Sequence, residues 1–363
     1  MNDYNRVFII AEAGVNHNGS VETAKRLIDV AAEAGADAVK FQTFHTDQVM
    51  VPYAPKAAYQ IKNTQGSESQ YEMVKKLELD QNAHQILYEY SVMRHIQFLS
   101  TPFDVDSLAF LVDTLHIPII KIASGEITNA PLLLKAATSG KKIILSTGMS
   151  DLGDIEAALG VIAFGYQNGE KSKAIPSQRN FKEAYYSEIG QTTLNEKVTL
   201  LHCTTEYPSP FEESNLCVIS TLRQCFGLQV GYSDHTPGIA IPLAAAALGA
   251  TVIEKHITLD RSLPGPDQAA SIEPGELSQM VQGIRQIEQA LGSQYKKPAL
   301  CELKNQRIAR KSIVAARAIE KGERFTQENL GVKRPPGGLS PLCYFDLLGK
   351  TAEKSYLENE AIP

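Results

Sequence analysis

The chain has 363 residues, 43% of them hydrophobic and 21% charged, which is the balance of a globular protein with room for about two domains. Its formal net charge of −6 argues against a sequence-independent nucleic-acid binder, because such proteins carry a basic surface. The five cysteines form no CxxC pair, which excludes a zinc-finger framework and is typical of a reducing compartment.

The N-terminal segment contains a short apolar run, VFII, that lacks the longer apolar core and the cleavage site of a signal peptide. No stretch approaches the ~20 apolar residues that a membrane-spanning helix needs. We therefore expect a cytoplasmic protein whose partners include neither a membrane nor a nucleic acid.

Short apolar segments rich in Val and Ile alternate with amphipathic segments along most of the chain. The predicted strands are 7–12, 37–42, 96–100, 118–123, 142–147, 198–203, 228–233 and 251–256. Repeated strand–helix units indicate a parallel sheet, and eight such units are the number in a TIM barrel. A doubly wound open sheet is the alternative, but no GxGxxG follows the first strand. The pattern predicts an α/β eight-stranded TIM barrel over residues 1–293.

Polar side chains stand at, or just after, the carboxyl ends of all eight predicted strands. The candidates are Glu12, Asn16, His17, Lys40, Thr101, Lys121, Ser124, Glu126, Ser146, His202, Ser233, His235 and His256. In TIM barrels this end of the strands carries the active site. An ionisable or hydroxyl group near every strand end is not expected by chance. We therefore predict that these side chains form the rim of an active site.

Two lysines, Lys40 and Lys121, lie inside otherwise apolar strands. A buried lysine is costly unless it is paired, so one interpretation is a structural lysine neutralised by Glu12 or Glu126. A second is a Schiff base with a carbonyl substrate. A third is a phosphate site, in which two lysines and neighbouring hydroxyl groups donate to the anion. The presence of two lysines favours the phosphate site, and the two glutamates are also candidate acid–base groups.

Two histidines, His235 and His256, end the adjacent strands seven and eight, so their imidazoles can converge on one point. Two neutral imidazoles in an open site suit a divalent metal ion that keeps several positions for water and substrate. For His202 and His17 we favour hydrogen bonding to substrate over metal ligation.

The barrel pattern stops near residue 293. Residues 294–308 are polar and contain lysines, which is typical of a linker. Residues 309–363 contain short β-like runs broken by turns, and they predict a small β-rich domain. A domain of ~55 residues is close to the lower limit for independent stability, so we expect it to pack against something, such as a partner subunit.

The segments around these residues resemble the bacterial sialic acid synthase family, in the family's order and over nearly the entire chain. The matching segments are IIAEAGVNHNG, GADAVKFQTF, APKAAYQIKNT, FLSTPFD, KIASGEITN, IILSTGM, LLHCTTEYPSPFE, VGYSDHTPG, ATVIEKHITLDRSLPGPDQAAS and ARKSIVAA with VKRP. This family makes nonulosonic acids from phosphoenolpyruvate and an N-acylated mannosamine-type aldehyde sugar. The tail is similar to the family's C-terminal antifreeze-like domain, the SAF domain, which has a β-clip fold.

The resemblance implies a role for most residues of the rim. A divalent metal ion, Mn²⁺ or Mg²⁺, would be held by His235 and His256. Phosphoenolpyruvate would be bound by Lys40, Thr101, Lys121, Ser124, Ser146 and Ser233. The acylamino sugar, or water at the metal, would be contacted by Glu12, Glu126, Tyr207 and Asp267. We expect Asn16 and His202 to contribute to substrate binding as well.

The resemblance also implies a homodimer with swapped C-terminal domains, in which Arg334 of the VKRP segment reaches the N-acyl group of the substrate in the partner's barrel. The implied reaction is a carbon–carbon condensation. C3 of phosphoenolpyruvate attacks the sugar aldehyde, water adds at C2, and inorganic phosphate leaves. Glu126 is the expected proton-transfer group, and the lysines stabilise the departing charge.

The identity of the sugar stays open at this point. N-Acetylmannosamine, which gives N-acetylneuraminate, is the first choice, and 2,4-diacetamido-2,4,6-trideoxymannose, which gives N,N'-diacetyllegionaminate, is the alternative. More distant alternatives are the 3-deoxy-octulosonate and 3-deoxy-heptulosonate phosphate synthases, a Schiff-base aldolase acting through Lys121, and a non-catalytic carbohydrate-binding protein.

Three features depart from the family pattern. Residues 165–195 look longer than the usual link before strand six, and their polar composition predicts a surface excursion. Gln268 stands where members of the family often carry histidine, so it is assigned no role. The run 335–337, Pro-Pro-Gly, replaces the more usual single Pro before Gly, next to Arg334.

Overall fold

The computed structural model describes residues 6–64, 68–169, 173–334 and 337–363, so Pro335 and Pro336 lie outside the described residues. The chain divides into two compact units, Met1–Gly292 and Ser293–Pro363. Among the described residues, the helices are too short or too polar to cross a lipid bilayer.

The first unit is built around one parallel eight-stranded sheet. Its strands are β1 (Phe8–Gly14), β2 (Ala38–Thr43), β3 (Gln97–Pro102), β4 (Ile119–Ile122), β5 (Lys142–Ser146), β6 (Val198–Cys203), β7 (Gln229–Asp234) and β8 (Val252–His256). Their order is β3-β2-β1-β8-β7-β6-β5-β4, and the two end strands, β3 and β4, lie side by side. The sheet is therefore a nearly closed barrel, which confirms the predicted TIM-barrel architecture.

Helices surround this sheet. They are α1 (Val21–Glu33), α2 (Thr46–Val49), α3 (Ala58–Thr64), α4 (Gln70–Lys75), α5 (Gln81–Met93), α6 (Val105–Ala109), α7 (Ala130–Thr138), α8 (Leu152–Asn168), α9 (Gln178–Tyr186), α10 (Glu188–Lys197), α11 (Val218–Phe226), α12 (Ala240–Ala247) and α13 (Pro274–Leu291). The first of them shows why the sequence folds this way. Ser20 caps α1 by accepting a hydrogen bond from the backbone N–H of Thr23. Ala24, Leu27 and Ala31 form its buried stripe at helical spacing.

The segment predicted as a polar surface excursion, 165–195, contains helical structure in its described part. The end of α8, all of α9 and most of α10 lie within it. The ring of Phe181 on α9 packs against Phe164 on α8 with centroids 5.3 Å apart, and Ala184 is buried. A few apolar side chains therefore attach this mostly polar segment to the barrel's helical layer.

The second unit contains α14 (Leu303–Ala309), α15 (Tyr344–Leu347) and an antiparallel pair of strands, β9 (Ser312–Ala315) and β10 (Leu330–Lys333). Its own apolar core consists of Ile313, Ala315, Ile319, Phe325, Leu330, Leu347, Ala352, Tyr356 and Ile362. A separate β-containing unit with its own core agrees with the predicted SAF-type fold.

Candidate active site

The polar rim begins where an apolar layer inside the barrel ends. The apolar layer consists of Ile10, Ala38, Leu99, Ile144, Leu201 and Val252. Two residues further along the same strands stand Glu12, Lys40, Thr101, Ser146, Cys203 and Glu254, and all six line one cavity of about 390 Å³. Because successive side chains of a strand alternate between faces, residues two apart share the barrel's inner face. The level at which the inward-facing side chains change from apolar to polar is therefore the floor of the site.

Two lysines and two carboxylates form the centre of this floor. Lys40 Nζ lies 2.5 Å from Glu12 Oε2 and 3.7 Å from Glu254 Oε2, and it donates to Thr101 Oγ1 at 3.0 Å. Lys121 Nζ lies 3.3 Å from Glu254 Oε1. All four ionisable side chains are buried, so Glu254 bridges two cations that water does not screen.

The two carboxyl groups differ in their electrostatics. Burial raises the pKa of Glu12 to about 7, and the nearby ammonium group of Lys40 offsets only part of this effect. Burial also opposes ionisation of Glu254, but Lys121 and Lys40 outweigh it and lower the pKa of this carboxyl group to about 2. Glu254 therefore offsets one of the two lysine charges and leaves the floor with net positive charge when Glu12 is protonated, while Glu12 can hold or release a proton near neutral pH.

Next to this cluster, the imidazole rings of His235 and His256 lie with their centroids 5.5 Å apart. The Tyr207 ring packs against both, at centroid distances of 4.1 Å and 5.6 Å. Burial lowers the pKa of each histidine, so both rings are neutral. His235 Nδ1 lies 2.6 Å from the carbonyl oxygen of Thr204, which can only accept, and this leaves Nε2 with a free lone pair.

The histidine pair suits a divalent cation. His256 Nδ1 is buried without a hydrogen-bond partner among the described residues, and Asp267 Oδ2 lies 3.9 Å from it. A cation would satisfy this orphaned lone pair. In the part of the chain that the structure describes, no three His, Cys, Asp or Glu side chains are placed to hold a metal ion together. Such an ion would therefore take most of its ligands from water and substrate.

Gly14, at the end of β1, allows Glu12 and His256 to approach the same point. Its φ of +52° is in the left-handed region. A Cβ atom at this position would lie 3.1 Å from Glu12 Oε1 and 3.4 Å from both Gln42 Nε2 and His256 Cε1. A side chain here would compete for the space between the carboxylate and the imidazole.

The cavity also has an apolar wall in addition to its charged floor. We use this name for Val15, Phe44, Val49, Val74, Leu77 and Phe103, which pack together and line the cavity. The Tyr59 ring packs against Tyr207 with centroids 5.0 Å apart. Asp267 borders the same space, and burial raises the pKa of its carboxyl group to about 6. The cavity thus combines an ionic floor with a wall suited to methyl groups.

Most of the predicted site residues meet in this cavity. Its lining includes Glu12, Lys40, Thr101, Lys121, Ser124, Ser146, Tyr207, Ser233, His235, His256 and Asp267. Cys203, Gln42, Thr205, Glu254 and Tyr59 also line it, although the sequence analysis assigned them no role. The period of two on β8 could have identified Glu254, since it precedes His256 by two residues. Tyr59 lies far from any strand end and gives no such signal.

Other predicted residues have their side chains engaged elsewhere. The Asn16 amide donates to the carbonyl oxygen of Ile257 at 2.9 Å. His202 Nε2 lies 2.9 Å from the carbonyl oxygen of Ser214. His17 Nδ1 accepts from the backbone N–H of Gly19 at 3.0 Å, so it takes part in the turn after β1.

The other two predicted residues lie on turns outside the strands. Glu126 accepts a hydrogen bond from Asn129 Nδ2 at 2.7 Å, because the single 3₁₀ turn Ser124–Glu126 directs it toward the start of α7. Arg334 belongs to the second unit, where its Nε donates to the carbonyl oxygen of Ala309 at 2.6 Å.

Comparison with known proteins identifies relatives over nearly the whole chain. The NeuB family matches residues 27–296, and the SAF domain matches residues 310–363. The chain is 50% identical over 357 residues to the N,N'-diacetyllegionaminic acid synthase of Campylobacter jejuni, covering 98% of this chain and 99% of that protein. It is 43% identical over 342 residues to the N,N'-diacetyllegionaminic acid synthase of Legionella pneumophila, covering 94% of this chain and 89% of that protein.

A solved structure agrees with these matches. The crystal structure of N-acetylneuraminic acid synthetase from Leptospira borgpetersenii in complex with citrate superimposes with a TM-score of 0.66 at 35% identity, covering 83% of this chain and 90% of that one. The names of the two sequence relatives favour the legionaminate alternative over N-acetylneuraminate, which the sequence analysis placed first. The chain belongs to the NeuB family of sialic acid-type synthases, which are condensing transferases, and it carries a C-terminal SAF domain.

Proposed function

We propose that this synthase condenses phosphoenolpyruvate with open-chain 2,4-diacetamido-2,4,6-trideoxymannose to form N,N'-diacetyllegionaminate and inorganic phosphate. The observation that carries the proposal is one cavity that combines two buried lysines at its floor, two neutral histidines and an apolar wall. The names of the two bacterial relatives support the same choice of sugar.

The floor of the cavity supplies the groups that a phosphorylated carboxylic acid needs. Lys40 and Lys121 bring positive charge, and the buried Ser146 Oγ and Thr205 Oγ1 have no hydrogen-bond partner among the described residues. A buried hydroxyl group without a partner is costly, so a bound anion would satisfy both. We propose that these four groups hold the phosphate and carboxylate of phosphoenolpyruvate, with Thr101, Ser124 and Ser233 around them.

We propose that His235 and His256 hold Mn²⁺ or Mg²⁺. A divalent ion bound there would supply Lewis-acid polarisation of the sugar aldehyde. The protein itself would contribute orientation: the Thr204 carbonyl fixes the tautomer of His235, and the Tyr207 ring restricts both imidazoles from the cavity side.

In the proposed reaction, C3 of phosphoenolpyruvate forms a bond to the aldehyde carbon, and the aldehyde oxygen takes up a proton. Water adds at C2 and loses a proton, and cleavage of the C2–O bond releases inorganic phosphate and leaves a 2-keto acid. We propose Glu12 for proton transfer, in place of Glu126, because its buried carboxyl group has a pKa of about 7 and lines the cavity. Lys40 and Lys121 stabilise the charge on the departing phosphate.

The apolar wall supports the choice of sugar. The trideoxy sugar carries a C6 methyl group and two acetyl methyl groups, whereas N-acetylmannosamine carries one acetyl methyl group and a C6 hydroxyl. A hydroxyl group against Val49, Val74 and Leu77 would lose hydrogen bonds with water and gain none there. Apolar pockets reject an added hydroxyl by a factor of about 100 at most, so we expect a preference of roughly 10- to 100-fold.

Phosphate release from phosphoenolpyruvate, measured side by side with the two sugars, tests this proposal. A kcat/KM at least tenfold higher for the diacetamido sugar supports the legionaminate assignment, and an equal or higher value for N-acetylmannosamine rejects it. Release with arabinose 5-phosphate or erythrose 4-phosphate instead would indicate the phosphorylated-sugar synthases. Borohydride trapping of pyruvate on Lys121 would indicate a Schiff-base aldolase.

The homodimer with swapped C-terminal domains, and the role of Arg334 in it, remain proposals that rest on the family resemblance. Light scattering of the full-length protein gives the subunit number. An Arg334→Ala variant would raise the KM for the sugar without changing that for phosphoenolpyruvate, and an unchanged KM for both substrates would argue against this role.

A further inference from the structure

Behind the two histidines lies an ion pair that is shielded from water. Asp234 and Lys255 are register partners on β7 and β8, and both side chains are 0% exposed. Lys255 Nζ donates to Asp234 Oδ2 at 2.6 Å and also to the carbonyl oxygen of Thr236. The backbone N–H and the hydroxyl of Thr236 donate to Asp234 Oδ1 at 3.0 Å and 2.9 Å. The pair thus closes the turn that follows β7.

This pair belongs to a series of three side-chain pairs between the two strands. Ser233 Oγ donates to Glu254 Oε1 at 2.9 Å and faces the cavity. Asp234 and Lys255 come next and point away from the cavity. The rings of His235 and His256 follow, and they face the cavity again. Because successive strand residues alternate between faces, Asp234 and Lys255 lie on the outer face of the barrel. They stand one residue before His235 and His256 along their strands.

Stability alone is a weak reason for such a pair. Removing two charges from water costs more than their attraction often returns, and well-packed apolar side chains of similar volume are frequently as stable. The pair also touches no part of the cavity. The pair can instead fix the distance between the ends of β7 and β8. An ion pair with hydrogen bonds has a defined geometry, whereas apolar packing restricts this distance less.

We propose that Asp234 and Lys255 are positioning residues that fix the spacing between His235 and His256 for a divalent cation. His235 Nδ1 is held by the carbonyl oxygen of Thr204, whereas His256 Nδ1 has no hydrogen-bond partner among the described residues. The separation of the two rings therefore depends on the backbone at the strand ends, which the ion pair holds together. This inference rests on the proposed metal site, and its test separates the two.

The test measures Mn²⁺ binding to the metal-free full-length protein by electron paramagnetic resonance, so that it does not depend on activity. The variant Asp234→Asn/Lys255→Met removes both charges, keeps the shapes of the side chains and leaves no unpaired buried charge. We expect its Kd for Mn²⁺ to rise about tenfold, as is typical when groups behind metal ligands are changed. A folded variant whose Kd stays within twofold of the wild type would overturn the proposal.

A matched control removes another ion pair of the barrel. Asp37 and Arg285 lie 2.7 Å apart, and Asp37 precedes β2, at the opposite end of the strands from the histidines. We expect Asp37→Asn/Arg285→Met to leave the Kd for Mn²⁺ within twofold, and an equal loss in both double variants would overturn the proposal by indicating general loosening. His235→Ala/His256→Ala should abolish binding; if binding persists, the metal site itself is rejected.

A milder variant covers the case in which the double variant does not fold. Thr236→Val keeps the volume of Thr236 and removes only the hydroxyl that donates to Asp234. We expect a Kd for Mn²⁺ about threefold higher, in proportion to one lost hydrogen bond of the network. An unchanged Kd in this variant would count against the positioning role.

Discussion

The two units of the chain treat charge in opposite ways. The barrel buries Glu12, Lys40, Lys121, Asp234, Glu254 and Lys255, whereas the buried polar side chains among the described residues of the C-terminal unit are those of Ser312 and Asn329. All eight histidines of the sequence also lie in the barrel unit. Buried charge is expensive, so it is retained where chemistry or positioning requires it. The described part of the C-terminal unit buries no charged side chain and keeps its ion pairs at the surface.

The largest effect should come from removing a buried cation of the floor. Lys121→Met leaves Glu254 with a single lysine partner and removes one of the two charges proposed to hold the phosphate. We expect kcat/KM to fall at least 100- to 1000-fold, the range seen when one stabilising donor is lost. Phosphate release measures it. The exposed Lys142 at the start of β5 offers a matched control, and an equal loss in Lys142→Met would contradict the assignment.

The next effect concerns the histidine contribution to acid stability, which belongs to the barrel unit because all eight histidines lie there. Burial lowers the pKa of His17 to about 4 and also lowers that of His84. Both imidazoles are neutral in the folded protein. As the pH falls below 6.5, they take up protons in the unfolded chain before they do so in the folded one. Their contribution is therefore complete above pH 6.5 and falls as the pH drops below it; that of His17 is lost between pH 6.5 and 4 and accounts for about 2 kcal/mol by pH 5.

The C-terminal unit should stay protected over the same interval. The Glu323 carboxyl group has its pKa lowered to about 2 by Arg317, so its contribution is present above pH 4.5 and is lost progressively between pH 4.5 and pH 2. Hydrogen exchange by mass spectrometry at pH 7 and pH 5, corrected for intrinsic rates, compares the units in the intact chain. Glu12 and Asp267, with pKa values of about 7 and 6, oppose the histidines.

A His17→Asn variant isolates the histidine contribution from that of the carboxyl groups. Asparagine can accept the same hydrogen bond from Gly19 but does not titrate. We expect its unfolding free energy to lose about 2 kcal/mol less than the wild type between pH 7 and pH 5. Parallel loss in both proteins would show that His17 does not sense this interval.

A smaller effect should follow from a polar substitution in the apolar wall. Leu77→Asn places an amide group against the proposed methyl sites, so the kcat/KM for the diacetamido sugar should fall about tenfold while the KM for phosphoenolpyruvate stays constant. The exposed Leu248 is a control position, and Leu248→Asn should change neither value. If Leu77→Asn raised both KM values equally, the wall would be structural only.

The smallest effect should come from a surface ion pair of the C-terminal unit. Arg317 Nη2 lies 2.6 Å from Glu323 Oε1, with both side chains partly exposed. Because exposed ion pairs contribute little, Arg317→Met should shift the melting temperature by no more than about 2 °C at neutral pH. If Arg317→Met lowered the melting temperature as much as Asp234→Asn does, the proposed difference between buried charge in the barrel and surface charge in the C-terminal unit would be wrong.

The barrel and most of its rim could be predicted from the sequence because both follow from strand periodicity. All eight strands lie close to their predicted positions, and β1 and β3 differ most, since each continues two residues past its predicted end, to Gly14 and Pro102. Glu126 was grouped with the rim because it follows β4, but a 3₁₀ turn places it beside Asn129. A local turn of this kind changes the direction of a side chain without any change in sequence spacing.

Features that depend on contacts between distant segments could not be predicted. The ion pairs of Glu254 join strands that are not neighbours in the sheet, so no local sequence pattern predicts them. The apolar wall likewise forms where the segment after β2 meets the ends of β1 and β3. The helices within 165–195 were missed because a polar composition with Pro176 is typical of loops, whereas Phe181 and Ala184 pack onto α8.

The origin of the apolar wall bears on how such an enzyme could change its sugar. Phe44, Val49, Val74 and Leu77 all come from the connection between β2 and α5, whereas the lysines, glutamates and histidines of the site lie on the strands or directly after them. Most of the apolar wall therefore comes from one contiguous connection, to which the ends of β1 and β3 add Val15 and Phe103, whereas the groups proposed for the condensation stand at the strand ends. Exchange of residues 44–77 between related synthases would be a compact way to redirect substrate choice, because the reaction machinery would be inherited unchanged.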